Sequence, residues 1–208
     1  MAELSPYALR LALYLVLMLL FGRLLFVRPG LPRGISLALA VVALILVVID
    51  AVNRLSGVLG IPAADIDPAT GHWFLTGTPV GEAGLLRILA LLAMLPLLAV
   101  NRPVQGLRRL ALLILTAVAL ASLAWNGHAA AGDGFGGTLR LVAGIVHLLA
   151  AGAWVGAIAA ILQLALRPQG RRLHERTREL WQAAHSFAVP GTIIVALLAM
   201  TGTYTYVD

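Results

Sequence analysis

The sequence predicts an all-α, polytopic membrane helix bundle of about six transmembrane helices, and three observations predict it. Hydrophobic residues make up 61% of the 208 and charged residues only 12%. Soluble chains run near 45–50% and about 25%, so this surplus of apolar side chains has no aqueous surface to tolerate it. Apolar residues gather into six runs, at about 8–27, 35–52, 84–100, 108–125, 139–166 and 183–205. Each is close to the roughly 20 residues that a helix needs to cross a bilayer. None alternates like a barrel strand, and a lipid-embedded backbone that is not a closed barrel satisfies its own hydrogen bonds only as helix. Mean hydropathy is +0.95. No repeat, low-complexity tract or linker divides the chain, which reads as a single transmembrane domain over 1–208.

Taken in order, the first run is preceded by Glu3 and contains Arg10, and Arg23 and Arg28 sit behind it. A secretory signal has a basic leader and a small-residue cleavage site, so this run reads as a retained span entered from outside. Arg28 and Arg33 follow it. The second run leads into the longest connector, 53–83, which carries Arg54, Gly57, Gly60, Pro62, Asp65, Asp67, Pro68, His72, Trp73 and Phe74. A loop of that length is functional or an interfacial lid. Trp73 and Phe74 are expected at the headgroup level, as are Tyr204 and Tyr206 at the end of the sixth run. Arg102, Arg108 and Arg109 follow the third run, and Arg167, Arg171, Arg172, Arg176 and Arg178 follow the fifth. Arginine-rich connectors stay cytoplasmic, which places the N-terminus, Asp208 and the 53–83 loop on the outer face.

Two absences narrow the chemistry. Lysine does not occur and all 15 basic residues are arginine. That excludes a phosphate-binding G-x-x-x-x-G-K-[ST] loop, a Schiff base and any lysine nucleophile, and with them ATP-driven pumping by this chain alone. Cysteine is also absent, which removes disulfides, iron–sulfur clusters, thiolate zinc sites and covalent c-type haem. An enzymatic role is not expected. The net charge of +6 sets orientation in so apolar a chain rather than recognising nucleic acid.

An ionisable group inside a span is costly unless it faces a partner or a wet cavity. His147 lies seven residues after Arg140, about 10 Å below the outer surface at 1.5 Å per residue. His185 lies seven after Arg178, about 10 Å above the inner one. The two are then ~10–20 Å apart along the membrane normal, too far to ligate one ion. Arg140, Gly144, His147, Ala151 and Trp154 share a stripe flanked by small residues, so this face meets protein rather than lipid. Gly152 and Gly156 add a G-x-x-x-G spacing that lets a neighbouring backbone approach. His147 is either a metal or cofactor ligand or a packing histidine bonded across a helix interface. In the sixth run His185, Thr192 and Thr203 share a line past Pro190 and Gly191, where a kink is expected. The blander reading, favoured here, has His185 capping or snorkelling and the threonines bonding their own helix. His128, in the connector after the fourth run, should sit at the outer mouth. It could converge with His147 on one outer-leaflet site, with His72, Asp65 and Asp67 as further ligands. Imidazole with carboxylate suits cupric copper and histidine with methionine suits cuprous copper. Met18, Met94 and Met200 are weighed as such thioethers and favoured as packing.

The stretches Gly127-His128-Ala129-Ala130-Ala131, His147-Leu148-Leu149-Ala150-Ala151-Gly152-Ala153-Trp154-Val155-Gly156, His185-Ser186-Phe187 and Thr201-Gly202 resemble the copper resistance protein D family of bacterial inner-membrane proteins. Gly81 to Arg87 resembles the family's start of the third span. The resemblance covers roughly 75–205. It implies copper handling, commonly uptake across the inner membrane, with copper received from a small periplasmic carrier protein or a fused carrier domain. Against the family pattern, His185 stands where arginine is usual, and about two further spans are expected beyond Asp208.

The leading expectation is therefore a copper-binding inner-membrane protein that moves or holds the ion without ATP hydrolysis. Its expected metal residues are His147, His128, His72 and His185, supported by Trp154, Arg140, Gly152 and Gly156. Its expected partners are the lipid bilayer, a periplasmic copper carrier and, left open, further copies of the chain. Two rivals come from other classes: a haem-binding electron-transfer subunit with histidine axial ligands, and a structural or assembly subunit whose histidines only pack.

Overall fold

Every apolar run becomes one helix in the computed structural model, which describes residues 6–26, 33–101, 103–126, 134–166 and 173–207. Among them the regular structure is helical throughout, and six helices are long and apolar enough to cross a membrane. Helix α1 spans Pro6–Phe26, α2 Arg33–Leu59, α3 Pro68–Gly77, α4 Pro79–Ala99, α5 Gly106–Ala121, α6 Gly134–Ala165 and α7 Leu173–Val207. Short 3-10 turns occupy Ala63–Asp65 and Ser122–Asn126.

The 53–83 connector departs most from expectation. Helix α2 continues past residue 52 to Leu59, because Arg54 pairs with Asp50 one turn back and so remains a helix residue rather than a loop residue. The helix stops at Gly60, whose φ of 67° is the left-handed conformation that glycine adopts without cost. Helix α3 then fills the loop's centre. Asp67 caps it by accepting from the Thr70 amide at 2.9 Å, with Pro68 at its first position. Thr78 caps α4 in the same way, accepting from the Gly81 amide at 3.0 Å. Trp73 is exposed, but Phe74 is buried and turns inward rather than sitting at the headgroup level. It does so because α3 packs against α4.

Helices α1, α2, α4 and α5 close a ring, α1 on α2, α2 on α4, α4 on α5 and α5 on α1. Its centre is filled by Leu13, Leu17 and Leu20 of α1, Ala40, Ala43 and Val47 of α2, Ala90, Leu91 and Met94 of α4, and Leu112, Ala119 and Leu120 of α5. These positions recur at three- and four-residue spacing, which aligns them on one face of each helix. In lipid there is no hydrophobic drive between helices, so close packing and polar contacts hold them together. Helix α6 lies outside the ring against α1, and α7 packs on α6.

The α1–α6 junction is made by glycine. A Cβ placed on Gly22 would overlap the Gly156 Cα and lie 2.7 Å from the Gly152 carbonyl oxygen. A Cβ on Gly152 would meet Leu120 Cδ2 at 2.7 Å and Phe21 Cδ1 at 3.0 Å. The G-x-x-x-G spacing thus admits the α1 backbone itself. At the end of the bundle opposite α3, arginines hold other helix ends. Arg108 Nε donates to the Leu97 carbonyl at 2.7 Å, and Arg109 Nη2 to the Leu25 carbonyl at 2.8 Å. Arg23 Nε donates to Ser36 Oγ at 3.0 Å. Guanidinium groups there satisfy carbonyls that helix termini leave open and complement the helix dipole.

Replacing Gly156 by Leu should cost about 3 kcal/mol or more through overpacking against α1. The measurement is thermal unfolding in detergent, where Gly57→Ala, on an open face of α2, should stay within about 0.5 kcal/mol of wild type. The α3 cap gives a pH signature. The Thr70 hydroxyl and amide hold the Asp67 carboxyl below its ordinary value. Its contribution is complete above the unfolded value of about 3.9 and is lost as pH falls through the lowered folded value. Amide exchange of α3 should be faster in Asp67→Ala than in wild type at pH 6, and the difference should shrink as pH falls through the lowered folded value.

Candidate functional site

The polar stripe of α6 faces α7. His147 Nδ1 lies 3.0 Å from Thr201 Oγ1, and Gly202 stands beside the ring. The Thr201 hydroxyl also donates to the Leu197 carbonyl of its own helix. With its proton directed there, the hydroxyl is free to accept from the imidazole, and a neutral ring protonated on Nδ1 would present its Nε2 lone pair. The ring is half-buried in a seam between two membrane-spanning helices.

Trp154 is half-buried on the same stripe and contacts Phe187 of α7 with ring centroids 5.9 Å apart. Phe187 in turn meets Phe26 of α1 edge-on at 5.7 Å. Arg140 is half-buried at the head of the stripe, and its Nε has no hydrogen-bond partner among the described residues. Gly152 and Gly156 serve the α1 junction described above.

The other expected ligands lie apart from His147. His185 is exposed and stacks on Trp181, ring centroids 5.0 Å apart and 6° from parallel. From Thr201 to His185 is about 24 Å along α7, so the two imidazoles belong to separate places. His72 is exposed on α3. Asp67 is committed to capping α3, and Asp65 lies in the 3-10 turn before it. Met94 is fully buried in the ring, Met18 packs beside it and Met200 is 72% exposed. Thr192 and Thr203 bond the Ala188 and Ala199 carbonyls of their own helix. His128 falls outside the described residues. Among those described, no three His, Asp or Glu side chains come close enough together to hold a metal ion.

A second polar centre, which sequence reasoning passed over, lies inside the ring at its α3 end. Arg87 of α4 is 2% exposed and Asp50 of α2 is 4% exposed. Arg54 Nε donates to Asp50 Oδ2 at 2.7 Å, and Arg10 Nε of α1 approaches Asp50 Oδ1 at 3.7 Å. Arg87 has no carboxylate within salt-bridge reach among the described residues. Its Nε donates to Ser122 Oγ at 2.9 Å and toward the Ala119 carbonyl at 3.4 Å. Asp50, Arg54, Arg87 and Asn126 line a small cavity floored by Phe74 and Gly81. The Asp50-x-x-x-Arg54 spacing and an arginine two turns inside the Pro79-led helix were the signals available in the sequence.

Comparison with known proteins points the same way as the spans. Residues 1–138 match the family model described as copper resistance protein D-like, N-terminal domain. A relative named copper resistance protein D, from Pseudomonas syringae pv. tomato, is 34% identical over 213 residues, covering 96% of this chain and 68% of the relative. No solved structure matches.

Removing the one carboxylate of the second centre should be costly. Asp50→Asn leaves two guanidiniums facing no counter-charge and should destabilise the bundle by about 3 kcal/mol. Thermal unfolding in detergent checks this, with Asp65→Asn on the exposed turn as the unaffected reference.

Proposed function

This chain belongs to the copper resistance protein D family, and from that premise we propose that it carries copper across the bacterial inner membrane without ATP hydrolysis. It is a multi-pass membrane protein with six helices fit to span. The observation that carries the transport reading is the His147–Thr201 pair. An imidazole in a spanning segment is turned to a protein seam, oriented by a hydroxyl, with Nε2 left as the donor atom. Outer-sphere orientation of this kind fixes the tautomer a metal needs.

Copper is cargo here, so a sparse donor set is an advantage. One imidazole, joined by few other donors, suits a soft cuprous ion in passing better than a permanently held cupric one. For a cuprous ion moving inward the membrane potential supplies about 2.3 kcal/mol per 100 mV, so downhill conduction needs no coupled hydrolysis. His185, beside Trp181 at the other end of α7, is the proposed exit contact. A periplasmic carrier would dock at residues 53–83, whose helix α3 presents His72 and Trp73 outward.

The same hydrogen bond is what a purely architectural histidine would make, and the experiment separates the two. Copper accumulation by cells producing His147→Ala should fall to the level of cells lacking the protein, while the purified variant remains folded. Thr201→Val, which keeps the shape but loses the acceptor, should weaken copper binding about 10- to 100-fold. Unchanged accumulation in His147→Ala would leave His147 as packing. Metal analysis and an absorption spectrum of the purified protein decide against haem if copper is retained and no Soret band is seen.

A further inference from the structure

The second polar centre has a charge imbalance that the copper reading does not use. Three guanidiniums, Arg10, Arg54 and Arg87, gather about the single carboxylate of Asp50. That carboxylate already receives Arg54 on one oxygen and Arg10 on the other. Arg87 is left with neutral partners only, the Ser122 hydroxyl and the Ala119 carbonyl. Arginine does not shed its proton in proteins, so the surplus positive charge persists inside the bundle.

The unsatisfied atoms are all of one kind. Arg87 Nη2 and Asn126 Nδ2 are buried N–H donors without an acceptor among the described residues, and both residues line the same cavity. The cavity has room for about one water molecule. A water would accept from one of these donors and could donate to Asp50, but it leaves the surplus charge uncorrected. An anion accepts from every direction and corrects it.

We propose that this cavity binds one monatomic halide ion, chloride in a cellular setting, held between the Arg87 guanidinium and the Asn126 amide. Room for about one water-sized body suits a monatomic ion better than sulfate, phosphate or a lipid headgroup. Asp50 shares the lining and opposes an anion, but Arg54 and Arg10 neutralise it where it stands. The site lies in the family-matched part of the chain, residues 1–138, and involves none of the residues assigned to copper, so each reading can fail without the other.

The test uses the full chain purified in detergent and exchanged into potassium gluconate. Titration with potassium chloride or bromide at constant ionic strength should raise the apparent Tm by about 3 °C or more and then saturate. Sulfate should give no such rise. Chloride-35 NMR should show line broadening that bromide competes away. Asn126→Ala, which keeps every charge, should shift half-saturation to about tenfold higher chloride. Arg87→Gln should abolish both signals if it folds, and Asn126→Ala carries the test if it does not. Equal melting in chloride and gluconate with no broadening would overturn the proposal in favour of a bound water. A rise produced equally by sulfate would overturn it in favour of general screening.

Discussion

The bundle depends on one contact, the approach of Gly22 on α1 to Gly152 and Gly156 on α6. With lipid on the outside, helices gain nothing from hiding apolar surface, so close backbone packing decides which helices stay together. Glycine on both sides lets α1 and α6 meet at a distance that any side chain would prevent. This junction joins the four-helix ring to the α6–α7 pair. The seam holding His147 is positioned relative to the ring chiefly through α6, on which α7 packs, with Phe187 of α7 touching Phe26 of α1. An architectural detail of α1 therefore sets where the imidazole stands.

The two polar centres divide the molecule chemically. Inside the ring, guanidiniums outnumber carboxylates, and a cation would meet repulsion there. In the α6–α7 seam the polar groups named above are an imidazole and a hydroxyl, and it is there that the proposed copper contact lies. The family-matched residues 1–138 cover the ring and its arginines, whereas His147 and Thr201 lie beyond them.

Much of the fold was legible because lipid makes composition decisive: six apolar runs gave six spanning helices, with ends shifted by a few to about ten residues. The stripe bearing His147 and Trp154 was legible from its periodicity, and so was the G-x-x-x-G face. Their partners were not. Nothing in one dimension shows that Gly22 is what fits against Gly156, or that Thr201 rather than Thr192 or Thr203 meets His147. The charged centre was missed for a related reason. Arg10, Asp50, Arg54 and Arg87 each lie within three turns of a helix end, where charge ordinarily marks an interface. Only their convergence from three helices turns them into an interior feature. Phe74 went astray because a single aromatic beside tryptophan reads as interfacial until the hidden helix α3 gives it an inward side.

The length of α7 has a mechanical consequence. Of its 35 residues the apolar stretch Leu180–Tyr204 reaches about 38 Å, against a hydrocarbon core of about 30 Å, and α6 is its main neighbour. Hydrophobic mismatch of that order is relieved by tilting. Thr201 sits toward one end of this lever, so a thinner or thicker bilayer swings the hydroxyl relative to the imidazole it orients. Lipid chain length thereby bears on the spacing between the Thr201 hydroxyl and the imidazole, with no ligand and no covalent change.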